Sequence, residues 1–162
     1  MPGPRLLRAS AVAAIVGLVT ITVYLVLERA VAAHLPIALC LRELLQWDAS
    51  NAYGVRAFNG GWPTAFVGLA MDFVVSFAWA VAFAALYVML PIVRRYVVLA
   101  GLCFGALVMI AMLFVVVPLG HATQLEPTLS HLANVLVAHA IFFGVPVALT
   151  IEGEIRREAR LR

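Results

Sequence analysis

The chain has little charge, and none of that charge comes from lysine. Aspartate, glutamate, lysine and arginine make up 12% of its 162 residues, about half of the roughly 25% that is usual in soluble domains. All 11 basic residues are arginine, and hydrophobic residues reach 65%. A single soluble core of this length cannot hide so much apolar surface from water. The composition therefore excludes an ordinary soluble globular domain.

The sequence also lacks the motifs of common catalytic and metal sites. It contains no phosphate-binding glycine loop, no Cys-x-x-Cys, no His-Glu-x-x-His and no nucleophile elbow. Its two cysteines are expected at opposite faces of a membrane, because Cys40 follows the outer end of the first apolar segment and Cys103 lies near the inner start of the third. That distance excludes a disulfide between them. We therefore predict no catalytic residues, no metal and no cofactor, and an enzyme is the least favoured class of function.

What the chain does contain is four long apolar segments. They cover residues 9–27, with an extension to 35, then 62–90, 97–119 and 130–151. At about 1.5 Å per residue, each segment crosses or nearly crosses a hydrocarbon core of roughly 30 Å. They lack the alternation of barrel strands, so helices are expected. The prediction is an all-α membrane protein, a four-helix transmembrane up-down bundle that forms a single domain over 1–162.

The arginines predict the orientation of this bundle. Eight of the 11 flank the predicted inner ends of the spans: Arg5, Arg8, Arg94, Arg95, Arg156, Arg157, Arg160 and Arg162. The positive-inside rule makes that side cytoplasmic and places both termini there. The expected partners are the lipid bilayer and a second copy or membrane-complex subunit, with no nucleic acid. A cleavable signal peptide is the alternative for the first segment, but its apolar run, 11–27, exceeds the usual length, so an uncleaved span is expected.

The loop between the first two spans carries a second helical pattern. Over residues 41–53, Leu and Ala recur at helical spacing with polar residues between them, which predicts a short amphipathic helix at the outer membrane interface. Trp47, Tyr53 and Trp62 are the expected interfacial anchors. Stripes of small residues predict close helix packing, within the chain or between copies: Gly68, Asp72, Ser76, Ala80 and Ala84, then Gly101 and Gly105, then Ala13 and Gly17.

Asp72 is the one carboxylate inside a predicted span, and an ionisable group there needs compensation. Counting residues from the span starts places it at the same depth as His139 of the fourth span. We therefore predict an intramembrane polar site with Asp72 and His139 as its pair and with three further members: Ser76, Asn134 and His131. Such a pair could pass protons, hold a metal with help from His131, or form a structural hydrogen bond between helices.

Three stretches resemble a family of small, uncharacterised four-span bacterial inner-membrane proteins. They are Leu45–Ser50 with Ala57–Gly61, Phe104–Gly105 with Met112 and Val115–Leu119, and His139 with Phe143–Pro146. The likeness covers about residues 40–148 and implies the same fold and location, a bacterial cytoplasmic membrane, without an assigned activity. This chain departs from the pattern of that family at two positions, with Asp72 where the family commonly has histidine and Leu113 where it commonly has asparagine.

The function predicted first is a small transporter or proton-coupled membrane component. A structural or assembly subunit of a membrane complex is the alternative, and a membrane-embedded enzyme is the third. One copy of 162 residues leaves little room for an alternating-access pathway, so transport would require an oligomer.

Overall fold

A computed structural model of the chain describes residues 3–122 and 128–160. Part of the loop predicted between the last two spans, including Glu126 and Pro127, lies outside the described residues, as does Arg162. Within the described part, four helices are long and apolar enough to cross a membrane. The prediction of an all-α fold with four helices long and apolar enough to span a membrane is confirmed for the described residues.

The elements follow one another with short connections. The first half of the chain contains α1 (Pro4–Ala33), α2 (Ile37–Tyr53), a 3₁₀ turn (Gly54–Asn59), α3 (Gly61–Met89) and the short α4 (Pro91–Arg95). Helix α5 runs over Val97–Ala111, a π-helical turn (Met112–Val116) and a last turn (Val117–Leu119). Helix α6 likewise joins Leu129–Val137, a π-helical segment (Ala138–Gly144) and Val145–Arg160.

Helix α1 is longer than its apolar run. It begins at Pro4, since proline suits the first turn of a helix. It passes through Glu28 and Arg29 because charged residues are compatible with a helix; Arg29 forms an ion pair with Glu43 of α2 at 2.8 Å. The helix ends where His34 adopts a left-handed conformation with φ of 53°, two residues before Pro36. The first span is thus a helix to Ala33, close to the extension expected at 35.

Each π-helical segment ends two residues before a proline. Pro118 follows the π turn of α5, and Pro146 follows that of α6. Proline has no N–H and its ring clashes with the carbonyl four residues earlier, so the helix widens locally and continues. For Pro146 that carbonyl belongs to Phe142, and the Thr20 hydroxyl of α1 donates to it. A hydroxyl from a neighbouring helix thereby satisfies the carbonyl that the proline leaves without a donor.

The small-residue stripe of α3 packs inside the chain. Gly68, Ser76, Ala80 and Ala84 are all buried, and the core joins this face to α1 and α6. Gly17 of α1 lies against Val147 and Phe143 of α6. Between the two arrangements left open for the predicted stripes, packing within one chain or between copies, the structure shows the first.

Helices α5 and α6 approach each other at backbone distance. A Cβ added at Gly105 would overlap the backbone oxygen of His139 and lie 2.7 Å from the Cα of Ala140. At Gly144 a Cβ would lie 2.8 Å from the backbone nitrogen of Gly105. These obstacles are backbone atoms, which cannot rotate away as a side chain would. Only glycine fits at both positions without moving the helices apart.

We therefore expect Gly105→Ala to destabilise the protein by about 1–3 kcal/mol, the usual cost of overpacking, because α5 must move away from α6. The matched control is Gly153→Ala, where an added Cβ meets nothing within 4 Å; it should be neutral or slightly stabilising. Thermal unfolding in detergent micelles measures both. Equal melting temperatures for the two variants would contradict the proposed close contact.

Candidate functional site

Asp72 lies beside α2, the helix that precedes its own. One turn before it, Gly68 contacts the backbone of α2 so closely that an added Cβ would overlap the carbonyl of Leu45. This contact brings Asp48 of α2 next to Asp72 of α3. Both side chains are half-buried. The site around Asp72 is therefore built from the α2–α3 contact.

The carboxyl groups of Asp48 and Asp72 are close enough to interact, and neither forms an ion pair with a cation among the described residues. Burial raises the pKa of Asp48 well above its usual value, and the adjacent Asp72 carboxylate raises the pKa further. Among the described residues, no hydrogen bond or ion pair reaches either carboxyl group. Like charges this close favour a state in which one group keeps its proton.

His139 and Asn134, the predicted partners on α6, have other neighbours. The Nδ1 atom of His139 lies 2.9 Å from the carbonyl oxygen of Val135 in its own helix. The hydroxyl of Tyr24 donates to Oδ1 of Asn134 at 2.6 Å, and the Tyr24 ring stacks on Phe142 with centroids 4.2 Å apart. Within the described part of the chain, no N–O contact of 4.0 Å or less joins His139 to Asp72. The structure does not bring the predicted pair into direct contact.

The remaining members of the predicted site lie apart from one another. Ser76 is buried on the same face of α3 as Asp72, one turn further along. His131 is half-buried near the start of α6, where its backbone N–H donates to the Thr128 hydroxyl at 3.2 Å. In residues 3–122 and 128–160, no group of three or more His, Cys, Asp or Glu side chains is arranged to hold a metal.

The predicted anchors lie on α2 and at the start of α3, on either side of the 3₁₀ turn. Tyr53 is 52% exposed and Trp62 is 41% exposed, whereas Trp47 is half-buried. The helix predicted over 41–53 is present and starts four residues earlier. Leu45 and Ala49 of the predicted apolar face are buried, but the polar Gln46 and Ser50 are buried as well, and Ala52 is exposed.

Sequence reasoning missed the structural role of Gln46. This side chain is 2% exposed, and its amide nitrogen lies 3.1 Å from the carbonyl oxygens of both Ala57 and Gly61. The first carbonyl belongs to the 3₁₀ turn before α3 and the second to the first residue of α3, so the buried amide joins α2 to the start of α3. The helical pattern assigned Gln46 to a solvated face. The only available signal was the nearby glycine-rich turn, which supplies carbonyls that an amide can bind.

Two buried polar atoms of α2 have no hydrogen-bond partner among the described residues. They are Nε of Arg42 and Oδ1 of Asn51. Arg42 is half-buried and takes part in neither of the ion pairs of the described chain. Together with the Asp48–Asp72 pair, these atoms give α2 several polar groups that lack a hydrogen-bond or ion-pair partner among the described residues.

Comparisons with known protein families, with curated proteins and with solved structures give no match to this chain. The geometry of the site is therefore the basis for its functional interpretation.

The carboxyl pair predicts a specific pH dependence of stability. Folding raises the pKa of Asp48. The proton on Asp48 therefore stabilises the folded state fully below its unfolded pKa of about 3.9, and this contribution is lost as the pH rises through its pKa in the folded state. We expect the melting temperature to fall as the pH rises above about 4, and Asp48→Asn to reduce this fall and to raise the melting temperature on its alkaline side.

The control for this measurement is Glu43→Gln, which removes an acid of the same helix that is already paired with Arg29. It should retain the pH dependence of the parent protein. If Asp48→Asn and Glu43→Gln gave the same pH profile, Asp48 would not be the group responsible.

Proposed function

We propose that the chain is a small proton-coupled membrane component in which Asp48 and Asp72 bind and release the proton. The observation that carries this proposal is the pair of adjacent carboxyl groups, one on a spanning helix and one on the helix packed against it, without a cation in the described structure. Carboxylates that a membrane protein leaves uncompensated mark proton and ion pathways in many pumps and transporters. The proposed activity is proton transfer coupled to a solute or to a partner subunit.

The chemistry of such a pair suits proton exchange. The first proton is held tightly because it relieves repulsion between the two carboxylates, and the second is held weakly. Moving α2 relative to α3 would change the distance between the groups and thereby their affinity for the proton. Asp48 lies outside the candidate spans and Asp72 lies within one. The proposed pair therefore joins a spanning helix to a helix outside the spans.

His139 supplies a further titratable group inside the bundle. It makes no direct bond to Asp72, so proton transfer between them would need a bridging water or a helix movement. The carboxyl pair and His139 are thus two proton-binding positions of the proposed pathway. A single chain offers little room for a transport path between them, and we propose that the working unit is an oligomer or a complex with another membrane protein.

The test is proton flux into proteoliposomes that carry a pH-sensitive dye, driven by a potassium diffusion potential. Asp72→Asn and Asp48→Asn should each reduce the flux at least tenfold, because an amide cannot exchange the proton. Glu152→Gln is the control, since Glu152 is an acid of α6 already paired with Arg156 at 2.8 Å, and it should retain the flux. Melting temperatures show that each variant is folded. Flux that is unchanged in both aspartate variants, or equal to that of empty liposomes in the parent, would contradict the proposal.

We further propose that the protein is an up-down bundle in a bacterial cytoplasmic membrane, with both termini in the cytoplasm and α2 at the outer interface. Eight arginines near the predicted inner ends support this orientation. The resemblance to small four-span bacterial proteins supports the location. The exposed rings of Tyr53 and Trp62 suit an interfacial loop.

Cysteine labelling tests this topology in a Cys103→Ala background, in which the remaining Cys40 is buried. Val55→Cys and Ile92→Cys form a matched pair, because the two side chains are similarly exposed, at 68% and 60%. A membrane-impermeant maleimide should label the cysteine at 55 in intact cells and the one at 92 only after permeabilisation. The reverse pattern would show the opposite orientation.

A further inference from the structure

An open cleft lies where the end of α2 meets the end of α5, away from the carboxyl pair. Its volume is about 420 Å³, and it is lined by Ala52, Tyr53, Gly54, Val55, Arg56 and His121. One wall is the end of α2 with the 3₁₀ turn after it, and the other is His121, two residues beyond the last turn of α5. Neither the predicted polar site nor the proposed proton pathway uses these side chains.

The two walls of the cleft are joined by backbone contacts. The N–H of His121 donates to the carbonyl oxygen of Asn51 at 2.9 Å, which attaches the end of α5 to the end of α2. Gly54 has a φ of +59°, a conformation that favours glycine, and a Cβ there would lie 3.7 Å from the His121 carbonyl oxygen. The cleft is therefore preformed by the backbone.

The polar side chains of the cleft are all hydrogen-bond donors to an anion. Arg56 offers a planar fork of N–H groups, His121 a ring N–H and Tyr53 a hydroxyl, and none of the described residues that line the cleft is acidic. Arg29 and Arg156 have carboxylate partners at 2.8 Å, whereas Arg56 has no ion pair within the described residues. The described lining of the cleft thus carries positive charge, and the cleft is open to a ligand.

We propose that this cleft binds a phosphate oxyanion through Arg56, His121 and Tyr53. Arginine binds phosphate oxygens in a bidentate manner, with charge-assisted hydrogen bonds. The exposed side chains of Tyr53 and Val55 border the same cleft, which gives an apolar edge beside the anion site. The phosphate belongs either to the headgroup of an anionic lipid or to a free phosphate ester.

Two probes distinguish these sources, and both use the full chain. The first is isothermal titration of detergent-purified protein with inorganic phosphate in a phosphate-free buffer. The second is native mass spectrometry of protein exchanged into vesicles of phosphatidylglycerol or of phosphatidylcholine. A headgroup site predicts retained phosphatidylglycerol and weak binding of inorganic phosphate, whereas a site for a free ester predicts the opposite.

In either case Arg56→Gln should weaken the binding at least tenfold, while Arg29→Gln, which removes an arginine already paired with Glu43, should leave it unchanged. Arg56 is exposed, so its loss should leave the fold intact, and equal melting temperatures verify this. His121→Gln gives a second variant on the opposite wall, with a smaller loss expected. If neither probe bound, or if Arg56→Gln and Arg29→Gln behaved alike, the proposal would be overturned.

Discussion

The contact between the backbones of α2 and α3 at Gly68 is the constraint on which the candidate site depends. Glycine at this position lets the carbonyl of Leu45 approach α3 more closely than any side chain would allow. The same approach carries Asp48 to Asp72 and brings Gln46 over the start of α3, where its amide binds backbone carbonyls. Any larger residue at 68 would separate all of these groups at once.

The sequence predicted the number of spanning helices, since hydropathy and length report directly on the cost of placing backbone and side chains in lipid. It also predicted the helix after the first span. It could not predict which face of α2 is buried, because that face is chosen by the close approach to Gly68 and by the carbonyls that Gln46 satisfies. Helical periodicity contains neither piece of information.

The Asp72–His139 pairing shows a different limit. Counting residues from the start of a helix gives the depth of a side chain, but the direction in which it points depends on the helix rotation. In α6 a π-helical segment over Ala138–Gly144 precedes Pro146, and each added residue in such a turn rotates the following side chains relative to a regular helix. Asp72 is directed by the contact of α3 with α2, which lies on another part of the bundle from the Tyr24–Asn134 contact of α1 with α6.

These two polar regions differ in how many of their polar groups have hydrogen-bond or ion-pair partners. Between α1 and α6, the hydroxyl of Tyr24 binds Asn134 and that of Thr20 binds the carbonyl freed by Pro146. These are neutral hydrogen bonds, which hold transmembrane helices in register at a modest gain in free energy. Between α2 and α3, two carboxyl groups repel each other without a hydrogen-bond or ion-pair partner in the described structure. Such an arrangement is costly for stability alone, and this cost is an argument for the proposed proton-binding role of the α2–α3 contact.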